Sequence, residues 1–183
     1  MTAGDDAHRT RLLVRTALWI AMCVALGYLM AGVPNIELIS AAVFTCGALV
    51  GPRRGALVGA IAEAIYSGFN PYGVAPPPLY AAQVLGFALI GAGGGMAAPL
   101  LSRLRFGMQA GVAAAAGFLL TLVYDVLTNA AVWLTVRETA SLPAVVLGGL
   151  SFPFPLAHTG SNTLLFALVV PAVLRAVRRR ASQ

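Results

Sequence analysis

The 183-residue chain is 59% hydrophobic and 10% charged, and its formal net charge of +6 comes from twelve arginines, no lysine and six acids. Soluble domains carry about 25% charged residues, and the apolar runs here approach the ~20 residues that cross a ~30 Å hydrocarbon core. Composition therefore points to a single integral membrane domain over residues 1–183, and away from a soluble domain or a nucleic-acid partner.

Residues 1–10 are polar and read as a frayed tail. A first helix is expected over 12–31. Arg9, Arg11 and Arg15 precede its apolar run as in a signal peptide. The run is longer than a typical signal core, however, and no small-x-small cleavage site follows, so it reads as a retained helix. Gly32-Val33-Pro34-Asn35 makes a turn into a short second helix, 36–50, tilted or partly interfacial. Gly51-Pro52-Arg53-Arg54-Gly55 is a tight basic turn with Pro placed to open the third helix, 53–69. The loop from Asn70 to Pro78 is stiffened by three consecutive prolines. A fourth helix follows over 79–101, then a second basic loop with Arg103 and Arg105. The fifth helix, 108–136, is the longest. Residues 137–151 form a loop with room for a short interfacial helix. The sixth helix, 152–173, runs into a tail with Arg175, Arg178, Arg179 and Arg180.

With six crossings, both termini and the even-numbered connections fall on one side. Eleven of the twelve arginines lie there, and Arg137 alone lies opposite. That asymmetry places both termini in the cytoplasm of a multi-pass protein of the inner (cytoplasmic) membrane. Cys23 and Cys46 sit in apolar segments without metal-ligand spacing and read as buried thiols.

At about 1.5 Å of rise per residue, the polar residues inside the spans share one depth, in the outer half. Glu37 opens the second helix. Glu63, Tyr66 and Ser67 lie on the third and Gln83 on the fourth. Asp125 and Asn129 are four apart on the fifth, and His158 and Asn162 four apart on the last, so each pair shares a face. Asn129 and Asn162, taken singly, serve as well to pin the bundle. Tyr72, Tyr80 and Trp133 fit an interfacial aromatic belt. Glu63 and Asp125 are harder to explain structurally. A charge at mid-membrane costs about 2.5–3.5 kcal/mol, and His158 is the one basic group at their depth. The grouping suggests a ligand pocket open to the outside.

The sequence has no G-x-x-x-x-G-K-[ST], no H-E-x-x-H and no G-x-S-x-G. It offers no phosphate loop, zinc helix or nucleophile elbow, and no catalytic role is assigned to any residue. Small residues recur four apart at Ala17, Ala21 and Ala25, at Gly55 and Gly59, at Gly91 and Gly95, and at Ala113 and Gly117, a spacing that lets helix backbones approach in lipid. For most of these, packing within the bundle is expected.

Ala17-x-x-x-Ala21 continuing to Ala25, the Gly47-Ala-Leu-Val-Gly51-Pro-Arg-Arg-Gly55-Ala-Leu-Val-Gly59 turn and the six-helix plan together resemble the substrate-binding S components of energy-coupling factor (ECF) transporters. The resemblance implies capture of a vitamin or vitamin precursor from outside. It also implies partnership with a transmembrane coupling subunit, met through Ala17, Ala21 and Ala25, and with two ATPase subunits that use ATP. The chain itself would bind no cofactor. Met1-Thr2-Ala3 departs from the Met-His start of the metal-transporting members, so metal uptake is not expected.

The acids Glu37, Glu63 and Asp125, opposed by His158 alone, favour a neutral or cationic ligand over a free carboxylate. The nearby aromatics suit a flat heteroaromatic ring. Two other classes fit the same pattern: a structural membrane protein resembling the rod-shape-determining proteins, and a small ion-coupled carrier in which the acids hold the ion.

Overall fold

The structure, a computed structural model, describes residues 3–33, 35–151 and 153–181. Met1, Thr2, Pro34 and Phe152, on which the expected N-terminal start, first turn and last-helix boundary fall, lie outside the described residues. The described chain is helical, with seven helices and no strand: α1 (Ala3–Met30), α2 (Ile39–Val50), α3 (Pro52–Gly68), α4 (Pro77–Arg103), α5 (Phe106–Val136), α6 (Leu142–Gly149) and α7 (Phe154–Ala181).

Four of these, α1, α4, α5 and α7, are long and apolar enough to cross a membrane. Their outward faces carry large apolar side chains such as Leu18, Leu89, Leu119 and Leu168, all exposed. Such a surface is a liability in water and is expected against lipid. The architecture is consistent with a multi-pass membrane protein.

Several expected boundaries shift. The polar N-terminal residues are helical from Ala3, with Asp5 and Asp6 in the first turn, where carboxylates favour the helix dipole. Pro77 and Pro78 do not extend the loop. They occupy the first turn of α4, where a missing N–H costs nothing. Glu37 stands two residues before α2 rather than within it. The C-terminal arginines continue α7 to Ala181 as a helix. The room left in 137–151 is filled by α6, whose first turn Ser141 caps by accepting from the Ala144 N–H.

α2 is enclosed by its neighbours: every residue from Ile39 to Gly47 is buried. It packs against α4, α3, α7 and α1, so its 12 residues need not match the bilayer thickness. Phe44 meets Phe166 with ring centroids 5.1 Å apart, and Val43, Val58, Phe87 and Ile90 complete the centre. Gly51, at φ 92°, permits the reversal into α3.

Lipid tails are as apolar as leucine, so helices here must gain from close packing rather than from leaving solvent. A methyl group at Gly91 would overlap the Gly55 carbonyl oxygen, and one at Gly47 would overlap that of Gly91. One at Gly94 would strike the Phe44 carbonyl. Backbones of α2, α3 and α4 are thus in direct contact, as expected for Gly55, Gly59, Gly91 and Gly95. Ala17, Ala21 and Ala25 behave differently: all three are exposed on the outside of α1.

Candidate binding site

A cavity of about 510 Å³ opens at the end of the bundle formed by the C-terminal ends of α1 and α3 and the start of α4. That volume falls within the ~300–1,000 Å³ typical of small-ligand sites. Glu37, Glu63, Tyr66, Ser67, Gln83 and His158 line it, joined by Asn35, Asn70, Tyr72 and Tyr124. Six of the nine residues expected to bind substrate therefore share one wall.

The other three are placed differently. Asp125 and Asn129 line a second cavity, about 320 Å³, beside Gly148 and Gly149 of α6. The Asn129 amide donates to its own helix, to the Asp125 carbonyl at 2.7 Å. Asn162 is 1% exposed and lines neither cavity. His158 and Asn35 line both, so they form part of the wall between them.

His158 is the hub. Its Nδ1 lies 2.7 Å from Asp125 Oδ1 and its Nε2 3.3 Å from Glu37 Oε1. Each nitrogen faces a carboxyl oxygen, so each contact needs one proton. The three groups then hold two shared protons and a net charge of −1, whether the ring is an imidazolium between two carboxylates or a neutral imidazole beside one carboxylic acid. Burial opposes ionisation of Glu37. The hydrogen bonds and charge of His158, with help from Ser40 and Asn162, overcome it and hold the carboxyl below its usual value. Ser40 donates to the same Glu37 oxygen at 2.6 Å, and Thr159 lies 3.4 Å from Asp125 Oδ2.

Glu63 has no such partner. It is 2% exposed. Its Oε1 accepts from the Ser67 hydroxyl at 2.6 Å, while its Oε2 is buried without a hydrogen bond. Ser67 also lies 3.2 Å from the Gln83 amide. One hydroxyl proton cannot serve both contacts, so the amide is best oriented with its NH₂ toward Ser67. A relay then runs from Gln83 through Ser67 to Glu63 and leaves Oε2 as the open end. An unsatisfied buried carboxylate oxygen costs several times a neutral hydrogen bond. Whether as acid or carboxylate, Glu63 is left with an unsatisfied oxygen in the lining of the larger cavity.

The tyrosines of this end act as clips. Tyr72 donates to the Ala31 carbonyl at 3.0 Å, Tyr28 to Phe69 at 3.1 Å and Tyr80 to Ala64 at 3.0 Å. Trp133 donates to Ala140 at 3.1 Å. Each ties a helix or loop to a neighbouring segment, a more specific role than an aromatic belt. Gly27 and Asn35 are liners that pattern reading passes over. Asn35 adopts φ 59°, a left-handed conformation that Asn tolerates, and its carbonyl accepts from Ser161 at 2.8 Å. A lone Asn after Pro in a turn was the available signal.

Cys23 and Cys46 are both buried free thiols, and no cluster of metal-ligating side chains occurs among the described residues. Comparison with family models, with curated proteins and with solved structures gave no match to this chain.

Proposed function

We propose that this chain is the membrane-embedded capture subunit of an importer, an S component of the ECF type, which takes a neutral or cationic heteroaromatic vitamin or precursor into the 510 Å³ cavity. The observation that carries the reading is the buried Glu63 in the lining of that cavity, whose Oε2 has no hydrogen-bond partner. Together with the net −1 of the His158 hub, it disfavours an anionic ligand and rewards one that brings a donor or a positive charge. Tyr66, Tyr72 and Tyr124 offer faces for a flat ring. The exposed alanine stripe of α1 leaves a smooth surface on which a transmembrane coupling subunit could pack closely. The chain would leave ATP hydrolysis to two partner ATPase subunits.

In this proposal the chain crosses the inner membrane six times, α2 and α3 forming a buried hairpin, with both termini in the cytoplasm. Two kinds of observation support that arrangement. Arg15 and Arg54 share one recess, Arg178 reaches the Ser102 carbonyl at 3.4 Å, and Arg175 stacks over Phe106 at 4.2 Å. The cavity residues occupy the opposite ends of the same helices. Arg105→Cys is expected to react with a membrane-impermeant maleimide only from the cytoplasmic side, and Val74→Cys, 68% exposed, only from outside. The native thiols are buried and leave a low background. Labelling of both positions from one side would refute the topology.

Ligand identification tests the function. Mass spectrometry of small molecules extracted from the purified protein should reveal one heteroaromatic compound in near-stoichiometric amount. Glu63→Gln should weaken its binding about ten- to a hundredfold, the worth of one charge-assisted hydrogen bond, while the protein still inserts. Unchanged affinity in Glu63→Gln would remove the acid from the site.

A further inference from the structure

A third recess, about 170 Å³, lies at the far end of the bundle between α1, α2 and α3. Arg15 and Arg54, both exposed, line it together with Leu12, Leu49, Val50 and Val58. Neither arginine has an ion-pair partner among the described residues. Arg54 belongs to the first turn of α3, whose cap residue Gly51 makes no side-chain cap, so the helix end adds positive potential beside it. From Arg15 a groove of the same volume continues along α1 over Leu18, Trp19 and Met22. At about 100° per residue, that track lies roughly a third of a turn around α1 from Ala17, Ala21 and Ala25, so it is separate from the alanine face.

We propose that this recess is a binding site for one anionic glycerophospholipid, its phosphodiester held between Arg15 and Arg54 and an acyl chain laid along Leu18, Trp19 and Met22. The charge and the shape argue together. Guanidinium forks bind phosphate oxygens in pairs, and an apolar groove leading away from two arginines suits a molecule with a charged head and a hydrocarbon tail. A free phosphate would use the arginines but leave the groove empty. A zwitterionic lipid would fill the groove but bring its own ammonium to a site without an acid. A bound lipid would tie α1, the most loosely packed of the long helices, to the α2–α3 hairpin.

Trp19 reports on the site directly. The chain has two tryptophans, so Trp133→Phe leaves Trp19 as the sole emitter. The full-length protein would be reconstituted in vesicles in which either phosphatidylglycerol or phosphatidylcholine carries brominated acyl chains. Brominated phosphatidylglycerol is expected to quench Trp19 at an apparent affinity at least about tenfold above that of its phosphatidylcholine counterpart. Arg15→Gln with Arg54→Gln, both at exposed positions, should abolish the preference. Arg103→Gln with Arg105→Gln, equal in charge change, should preserve it. Equal quenching by the two lipids would overturn the site, as would loss of preference in the Arg103/Arg105 control. Millimolar inorganic phosphate removing the preference would show an anion site rather than a lipid site and would equally overturn the proposal.

Discussion

Gly91→Val is expected to yield no folded protein in the membrane fraction. The reason is backbone against backbone. A β-carbon at Gly91 would occupy the position of the Gly55 carbonyl oxygen, and the Gly91 carbonyl is itself the surface that Gly47 and Gly55 rest upon. A flexible side chain could rotate away, but a helix carbonyl cannot. α4 would have to withdraw from α2 and α3 together. Ordinary overpacking costs about 1–3 kcal/mol; displacing two helix interfaces exceeds that, against a total stability of only about 5–15 kcal/mol. Gly91→Ala should fail partly, with a large fall in the detergent melting temperature. Gly111→Ala provides the contrast. Nothing lies within 4 Å of a methyl there, so it should be neutral or gain up to about 1 kcal/mol from restricting the unfolded chain. Melting curves of the purified variants, followed by far-UV circular dichroism, check both. Wild-type-like melting of Gly91→Ala would mean that the three backbones are not in contact.

How much of this could be read from the residues depends on the range of the interaction. Helix existence is local, and the arginine-punctuated apolar runs disclose it. The shared depth of Glu37, Glu63, Ser67, Gln83 and His158 was also legible, because rise per residue turns sequence position into height. Rotation about the axis was not. Asp125 and Asn129 are four apart and share a face, but that face points at α6 and the smaller cavity, a fact fixed by how α5 packs on α7 and α6. Asn162 sits one turn from His158, yet it is buried behind Glu37 and lines neither cavity. The burial of α2 was hidden for a related reason: apolar residues all round a short helix suit either lipid or protein, and composition does not tell them apart. Loop residues such as Asn35 and Tyr72 enter the cavity only because distant segments close over it. The helical state of residues 3–10 and 174–181 also eluded pattern reading, since charged, solvated turns show no apolar periodicity.

His158→Ala is expected to lower stability by about 3–5 kcal/mol, the usual consequence of removing one partner from a buried ionic cluster. The ring stands between Asp125 at 2.7 Å and Glu37 at 3.3 Å. Without it, two carboxyls share a poorly solvated space with no cation to separate them, since no arginine lines either cavity. One must take up a proton or the local packing must open. Charge, more than lost volume, should carry the cost, and that is testable. In the His158→Ala background, Asp125→Asn removes one of the two like charges and should restore part of the loss, although the same change in the wild-type protein should destabilise by stripping the ring of its closest acceptor. That sign reversal is a coupling between the two positions, read from a double-mutant cycle of melting temperatures or denaturant midpoints. A second effect should accompany it. His158 forms part of the wall between the 510 Å³ and 320 Å³ cavities, so its truncation should join them and speed release of any ligand held in the larger one. Additive effects of the two substitutions on stability would show that the imidazole fills space without holding the acids apart.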